Sequence, residues 1–252
     1  DTSIAVEGGY VAAFKVVIAD QPAADHEVEA AALTASGLQL DSVWLDAGEP
    51  AVVLEHAADA DALVMSWTPV TRAVIEQLKR CRVIARFGIG VDMIDLVAAT
   101  ERGIMVCNTA SYCLDEVSNH AMGLLLMLNR GLLQDSDAMR SGGWFRSAGT
   151  PPRRLHGQRL GLVGLGNIGK LVARKARAFG LDVVAYDPYL RREQSAVDNT
   201  SLVDLDELLE TADVVSVHCP LNDSTRHLIG ARELGLMKPN ALLINTSRGP
   251  VV

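Results

Sequence analysis

Gly164, Gly166 and Gly169 stand in the spacing G-x-G-x-x-G, as Gly-Leu-Gly-Asn-Ile-Gly, between an apolar run (Arg159 to Leu165) and an amphipathic one (Ile168 to Phe179). Glycines so placed suit one task. The first permits a tight turn, the second lets the main chain approach a pyrophosphate, and the third lets a helix pack closely. The free N–H groups of the helix start, those of Asn167 and Ile168, then face the anion. Asp187 lies at the end of the next apolar run, Asp182 to Pro188. Its carboxylate can accept hydrogen bonds from both ribose hydroxyls of an adenosine and would repel a 2′-phosphate. The pattern predicts a dinucleotide site with NAD preferred over NADP. A glycine-rich turn beside an unrelated surface aspartate is the plainer alternative, and strand, glycines, helix and acid in register argue against it.

Such a turn needs a parallel sheet to hold it, and the sequence alternates accordingly. From Lys15, β-branched runs at 15–20, 42–46, 62–67, 83–87 and 103–108 are separated by helical stretches at Asp25–Ser36, Pro50–Ala60 and Thr71–Lys79. Asp115 to Asn129 reads as a helix crossing between domains, with Val117, Ala121, Leu124, Leu125 and Leu128 on one face and Asp115 suited to the positive end of the helix dipole. Ser141 to Pro152 collects glycines and prolines and reads as a loop. A second set follows: strand 159–165, helix 168–179, strand 182–188, helix 204–211, strand 213–220 and strand 241–247. Strand and helix alternation of this kind means an α/β chain with two doubly wound parallel sheets. The expected division is an extension at 1–14, a first domain at 15–113 and a dinucleotide domain at 114–252.

The bulk properties narrow the partners. A net charge of −8 with pI near 5.2 gives no basic footprint for nucleic acid or anionic membranes. The longest apolar run in the middle of the chain, Met122 to Leu128 with Gly123 inside it, is too short to span a bilayer. Cys81, Cys107, Cys113 and Cys219 form no C-x-x-C pair and have no histidines at metal-ligand spacing, so they read as reduced thiols with no metal, in a cytoplasmic protein.

Four blocks resemble the D-isomer-specific 2-hydroxyacid dehydrogenases, in particular the D-3-phosphoglycerate dehydrogenase-like members. They are Arg86-Phe-Gly-Ile-Gly-Val-Asp92 with Ile94-Asp95; Asn108 to Val117 and on to His120; Leu162 to Gly169 with Tyr186-Asp187-Pro188; and His218-Cys-Pro-Leu221 with Thr225, closing on Asn245-Thr-Ser-Arg248-Gly249. The resemblance implies a flavodoxin-like substrate domain before a Rossmann NAD domain, hydride transfer between NAD and a small 2-hydroxy or 2-oxo acid, and a homodimer. It implies that the N–H groups of Ile89 and Gly90 bind the substrate carboxylate. Gly88 and Gly90 fit a backbone approached closely by a ligand, or ordinary turn glycines. Tyr112 is placed near the substrate, with a half-buried aromatic capping the next helix as the equal alternative. Cys219, Pro220 and Thr225 would flank the adenosine and its ribose, and Thr246 would also contact the cofactor. Arg248, after the strand at 241–246, is the favoured catalytic residue, because a guanidinium fork can hold the carboxylate and polarise the keto oxygen.

The sequence departs from the pattern in three places. The glutamate and histidine that complete the family's site lie downstream of the arginine, and the sequence stops at Val252, so an incomplete NAD domain and an inactive chain are expected. Neither His120 nor His218 matches the acid/base motif. Ala110, Ser111 and Asn119 replace residues common in relatives and touch the region between domains. A second reading, an NAD-sensing corepressor-like binding protein of the same fold, draws on Tyr112 to Glu116. A third, another Rossmann enzyme such as an alanine dehydrogenase, is opposed by Arg248.

Overall fold

The computed structural model describes residues 14–20, 26–46, 48–144, 153–191 and 200–252. Its chain divides between Tyr112 and Cys113 into two compact units. Strand β1 begins at Phe14, inside the expected extension, and the rest of that segment lies outside the described residues. So do Asp25, the expected first residue of the first helix, and 145–152, most of the expected glycine- and proline-rich loop.

The first unit carries β1 (Phe14–Ile18), β2 (Leu40–Trp44), β3 (Ala62–Met65), β4 (Val83–Arg86) and β5 (Met105–Asn108), with α1 (Glu27–Ala35), α2 (Pro50–Ala57), α3 (Arg72–Ile75) and α4 (Leu96–Glu101). All strand pairs are parallel, in the order β2-β1-β3-β4-β5, which is the flavodoxin-like order. Register stacks Val17 beside Leu63 and Leu63 beside Ile84, and these buried chains form the core with Val53, Ala57, Ile75 and Leu78. Strands covered on both faces need apolar runs rather than strict alternation, which is why FKVVI and ALVM serve.

Two boundaries differ from expectation for local reasons. The helix expected over Thr71–Lys79 stops at Ile75. The amides of Gln77 and Leu78 bond three residues back, to Val74 and Ile75, and the amide of Lys79 leaves for Ala58 O at 2.8 Å. Strand β5 starts at Met105 rather than Gly103, because Gly103 takes a left-handed φ of +67° to end α4, a helix not foreseen, whose N-cap Asp95 accepts the Ala98 amide at 2.8 Å.

The second unit carries α5 (Leu114–Arg130), α6 (Leu132–Arg140), β6 (Arg159–Val163), α7 (Asn167–Ala178), β7 (Asp182–Tyr186), β8 (Ser201–Leu202), α8 (Leu205–Thr211), β9 (Val214–Val217), α9 (Ala231–Leu236) and β10 (Leu242–Asn245). The sheet is parallel, β8-β7-β6-β9-β10, the Rossmann order for the first five strands. One cluster packs α5 and α7 on one face through Ala121, Met122, Leu125, Val172 and Leu160; another packs α8 on the other through Leu208, Leu209 and Val215. Helix α5, expected to cross between domains, falls within this unit and packs one face into its core. Its buried face is Ala121, Met122 and Leu125, whereas Leu128 is exposed.

Candidate functional site

All five strands of the second sheet run the same way, so the residues after β6, β7, β9 and β10 share one edge. Strand order reverses between β6 and β9, and there the two chain ends touch. A Cβ on Gly164 would lie 2.8 Å from the Cys219 amide nitrogen and 2.9 Å from the His218 carbonyl carbon, at a φ of +99° that also disfavours any side chain. A Cβ on Gly169 would lie 2.3 Å from Gly164 O, so the helix packs directly on the turn. Gly166 faces open space instead and is the N-cap of α7, whose first amides, of Asn167 and Ile168, have no hydrogen bond among the described residues. The three glycines therefore divide into two forced by packing and one that leaves an anion room to approach.

Asp187 follows β7. Its Oδ2 accepts the Leu165 amide at 2.9 Å and its Oδ1 the Tyr189 amide at 3.0 Å, so the carboxylate ties the glycine turn to the end of β7. Gly164, Gly166, Asp187, Cys219, Pro220 and Thr225 wall one groove of about 600 Å³, open solvent included. Asn167, Ile168, Gly169, Thr246 and Arg248 are not part of that wall. The Thr225 hydroxyl donates to Pro220 O at 2.6 Å and accepts the Asn222 amide at 2.9 Å, so it folds the rim of the groove. His218 also lines it, with Nε2 2.9 Å from the Ser216 hydroxyl, and burial lowers its pKa to about 4. Burial pushes the Cys219 thiol up, with Asp187 adding to the effect.

Beyond β10, the Asn245 side chain shapes the turn that presents the arginine. Its Oδ1 accepts the Ser247 amide at 2.9 Å and the Ser247 hydroxyl at 2.8 Å, and its Nδ2 donates to Arg248 O at 2.9 Å. Thr246 Oγ1 within this turn is buried and has no partner among the described residues. Arg248 is half-buried, with Nη1 donating to Ser247 O at 3.0 Å.

The first unit has its own edge of strand ends. Asp20, after β1, has a φ of +52° and a buried carboxylate that accepts the amides of Ser66 (2.6 Å), Trp67 (2.8 Å) and Thr68, and the Thr68 hydroxyl (2.5 Å). Arg86 ends β4 and is 4% exposed; Nε donates to Ser66 O at 2.9 Å, Nη1 donates to Gly90 O, and the guanidinium lies 5.4 Å from the Trp67 ring centre. Ile89 O accepts from Asn108 Nδ2 at 2.7 Å, while the N–H groups of Ile89 and Gly90 have no hydrogen bond among the described residues. A Cβ at Gly88 would lie 2.6 Å from Arg86 Nη1, so the buried guanidinium itself favours a glycine there. Tyr112 is 65% exposed, against the half-buried alternative. Asp20 and Arg86 were not singled out from sequence. The usable signals were an aspartate closing the KVVIAD strand and an arginine opening the R-F-G-I-G block.

Residues 122–252 match the family described as D-isomer specific 2-hydroxyacid dehydrogenase, NAD binding domain. A hydroxypyruvate reductase of Thermotoga maritima is 37% identical over 229 residues, covering 90% of this chain and 72% of that protein. The chain belongs to this family. A D-3-phosphoglycerate dehydrogenase of Methanocaldococcus jannaschii is 42% identical over 202 residues, 79% of this chain, yet the match spans only 38% of that relative's length. Among solved structures, a D-lactate dehydrogenase of Aquifex aeolicus complexed with NAD and lactic acid superposes with a TM-score of 0.87 at 28% identity, covering 94% of this chain and 70% of that one.

The second unit of this dehydrogenase-family chain is therefore an NAD-binding domain, and its own geometry fits the dinucleotide. Open space at Gly166, two unengaged helix-start amides, an acid at the end of β7 and an orphaned buried hydroxyl at Thr246 lie along one sheet edge. No helix of the described residues is long and apolar enough to cross a membrane.

Proposed function

We propose that the protein is an NAD-dependent oxidoreductase that interconverts a small D-2-hydroxy acid and its 2-oxo acid by hydride transfer. The observation that carries this reading is the carboxyl edge of the second sheet, where the groove beside Gly166 and Asp187 and the arginine after β10 belong to one row of strand ends. Bound NAD supplies the hydride acceptor, and NADH the donor. Gly166 and the amides of Asn167 and Ile168 hold the pyrophosphate, Asp187 takes the adenosine ribose and selects NAD over NADP, and Thr246 Oγ1 gains its missing partner from the cofactor. Cys219 and Pro220 pack beside the adenosine, and Thr225 shapes that wall.

Arg248 binds the carboxylate and polarises the keto oxygen. Ile89 and Gly90 supply amide donors whose carbonyls are already engaged, with Tyr112 on the substrate side. His218 is not assigned the acid/base role: burial lowers its pKa to about 4, so the ring is neutral rather than an imidazolium acid at neutral pH. A homodimer belongs to the same proposal, supported by the exposed Leu132, Leu133 and Met139 on α6. Four unpaired thiols fit a cytoplasmic setting. The corepressor-like reading finds no support in the relatives named above.

The test is NADH oxidation by the full-length protein against glyoxylate, hydroxypyruvate, pyruvate and other 2-oxo acids, with Arg248→Lys alongside. Turnover on at least one acid, lost by about a hundredfold or more in kcat/KM in the variant at nearly unchanged Tm, is the expected result. NADH binding without turnover on any acid would return the regulatory reading.

A further inference from the structure

We infer that Arg86 is a positioning residue that sets the Gly88–Gly90 backbone to receive a substrate carboxylate, rather than itself binding an anion; this rests on the proposed oxidoreductase reading. A guanidinium is charged at every accessible pH, and burying one is costly unless its donors are satisfied. Arg86 is 4% exposed and meets that need with main-chain carbonyls on two loops, Ser66 O after β3 and Gly90 O after β4, and with the face of Trp67. The two loops are thereby joined through one rigid planar group. Ser66 is itself fixed from behind, because Asp20 gathers the amides of Ser66, Trp67 and Thr68.

The consequence falls on the donors. With Gly90 O held by Arg86 and Ile89 O held by Asn108 at 2.7 Å, the peptide planes of the loop are fixed, and the N–H groups of Ile89 and Gly90 remain available for a carboxylate. Gly88 completes the device, since any Cβ there would displace the guanidinium at 2.6 Å. An arginine that coordinated a second anionic group on the substrate would need its fork turned out of the loop. Here Nε and Nη1 are turned into it.

The experiment compares wild type, Arg86→Lys and Arg86→Met in the full-length protein. Amide hydrogen exchange is read at Phe87, Gly88 and Thr109, whose amides are bonded to Met65 O, Arg86 O and Gly88 O in and around this loop, and KM is measured for NADH, for glyoxylate and for a phosphorylated 2-oxo acid. Exchange in the loop should rise about tenfold or more in both variants, and KM for both acids should rise by the same factor, the scale of one hydrogen bond to a charged group. KM for NADH should stay within about twofold. Unchanged exchange in Arg86→Lys would overturn the inference. So would a KM increase confined to the phosphorylated acid, which is the mark of a direct anion ligand. A wild type that turns over no acid counts against the oxidoreductase reading alone, and the exchange measurement still decides whether Arg86 holds the loop.

Discussion

Asp187, proposed as the ribose acceptor, is also tied into the fold. Its two oxygens receive the amides of Leu165 and Tyr189, so its removal is expected to loosen the glycine turn as well as the proposed selectivity. Asp187→Ala is expected to weaken NADH binding by about ten- to a hundredfold, the worth of a hydrogen bond to a charged group, and to narrow the preference over NADPH. It should also lower Tm by several degrees, as a loss of about 1–2 kcal/mol does. Fluorescence titration and thermal melts measure the two effects, and an unchanged Tm would mean that the carboxylate does not anchor the turn. His218 gives a pH dependence. Its folded pKa of about 4 lies below the ordinary 6.5, so the fold favours the neutral ring. The contribution is fully present above pH 6.5 and is lost as pH falls toward 4, to a limit of ~3 kcal/mol. Denaturant melts between pH 7.5 and 4 should show this acid loss in wild type and a shallower one in His218→Gln. At this scale the glycines and Asp187 were legible because their spacing is local. Asp20 and Arg86 were not, because the partners of Asp20 lie 46–48 residues away in sequence and the Ser66 carbonyl that holds Arg86 lies 20 away.

At the scale of elements, α5 and α7 are held together by apolar packing and by one cation. Lys175 of α7 reaches the first turns of α5, donating to Asp115 Oδ1 at 3.1 Å, Ser118 Oγ at 2.6 Å and Asn119 Oδ1 at 2.7 Å. Asn119, unusual beside the resemblance, is thus occupied inside this unit. Lys175→Met should cost about 1–2 kcal/mol in urea unfolding, most of it from the buried Ser118 rather than the exposed Asp115, while NADH affinity stays within about twofold. A loss below the error of the measurement would leave the apolar contacts as the sole fastening. The longer elements were readable because their periodicity is strong, as in Asn167–Ala178. Elements such as α4, α9 and the two-residue β8 were not foreseen, being too short to show a period of their own, and nine-residue α6 was not foreseen because none of its residues is buried and no apolar face marks it. Strand β5 was displaced because a glycine that ends a helix looks, in sequence, like the start of an apolar strand.

The whole molecule holds two sheets of different strand order, each with its own core. Two cooperative unfolding transitions are therefore expected in calorimetry. NADH at a hundred times its dissociation constant should move only the one belonging to Cys113–Val252, by the equivalent of ~2.7 kcal/mol. A single transition shifted as a whole would show that the units unfold as one. The alternation of strands and helices made both sheets legible. The strand orders were not spelled out by it, since which strand lies beside which depends on long-range packing, and they entered through the resemblance.

Cys219 sits where the two halves of the second sheet diverge, its main chain pressed against Gly164 and its residue 8% exposed. Thiol reagents attack the thiolate, and burial pushes this one up and out of reach, whereas Cys107 on β5 is exposed. Cys81 is buried likewise, in the first unit, so of the two slowly alkylated thiols expected, the one that a bound dinucleotide slows further would be Cys219, and its rate would report how often the crevice opens.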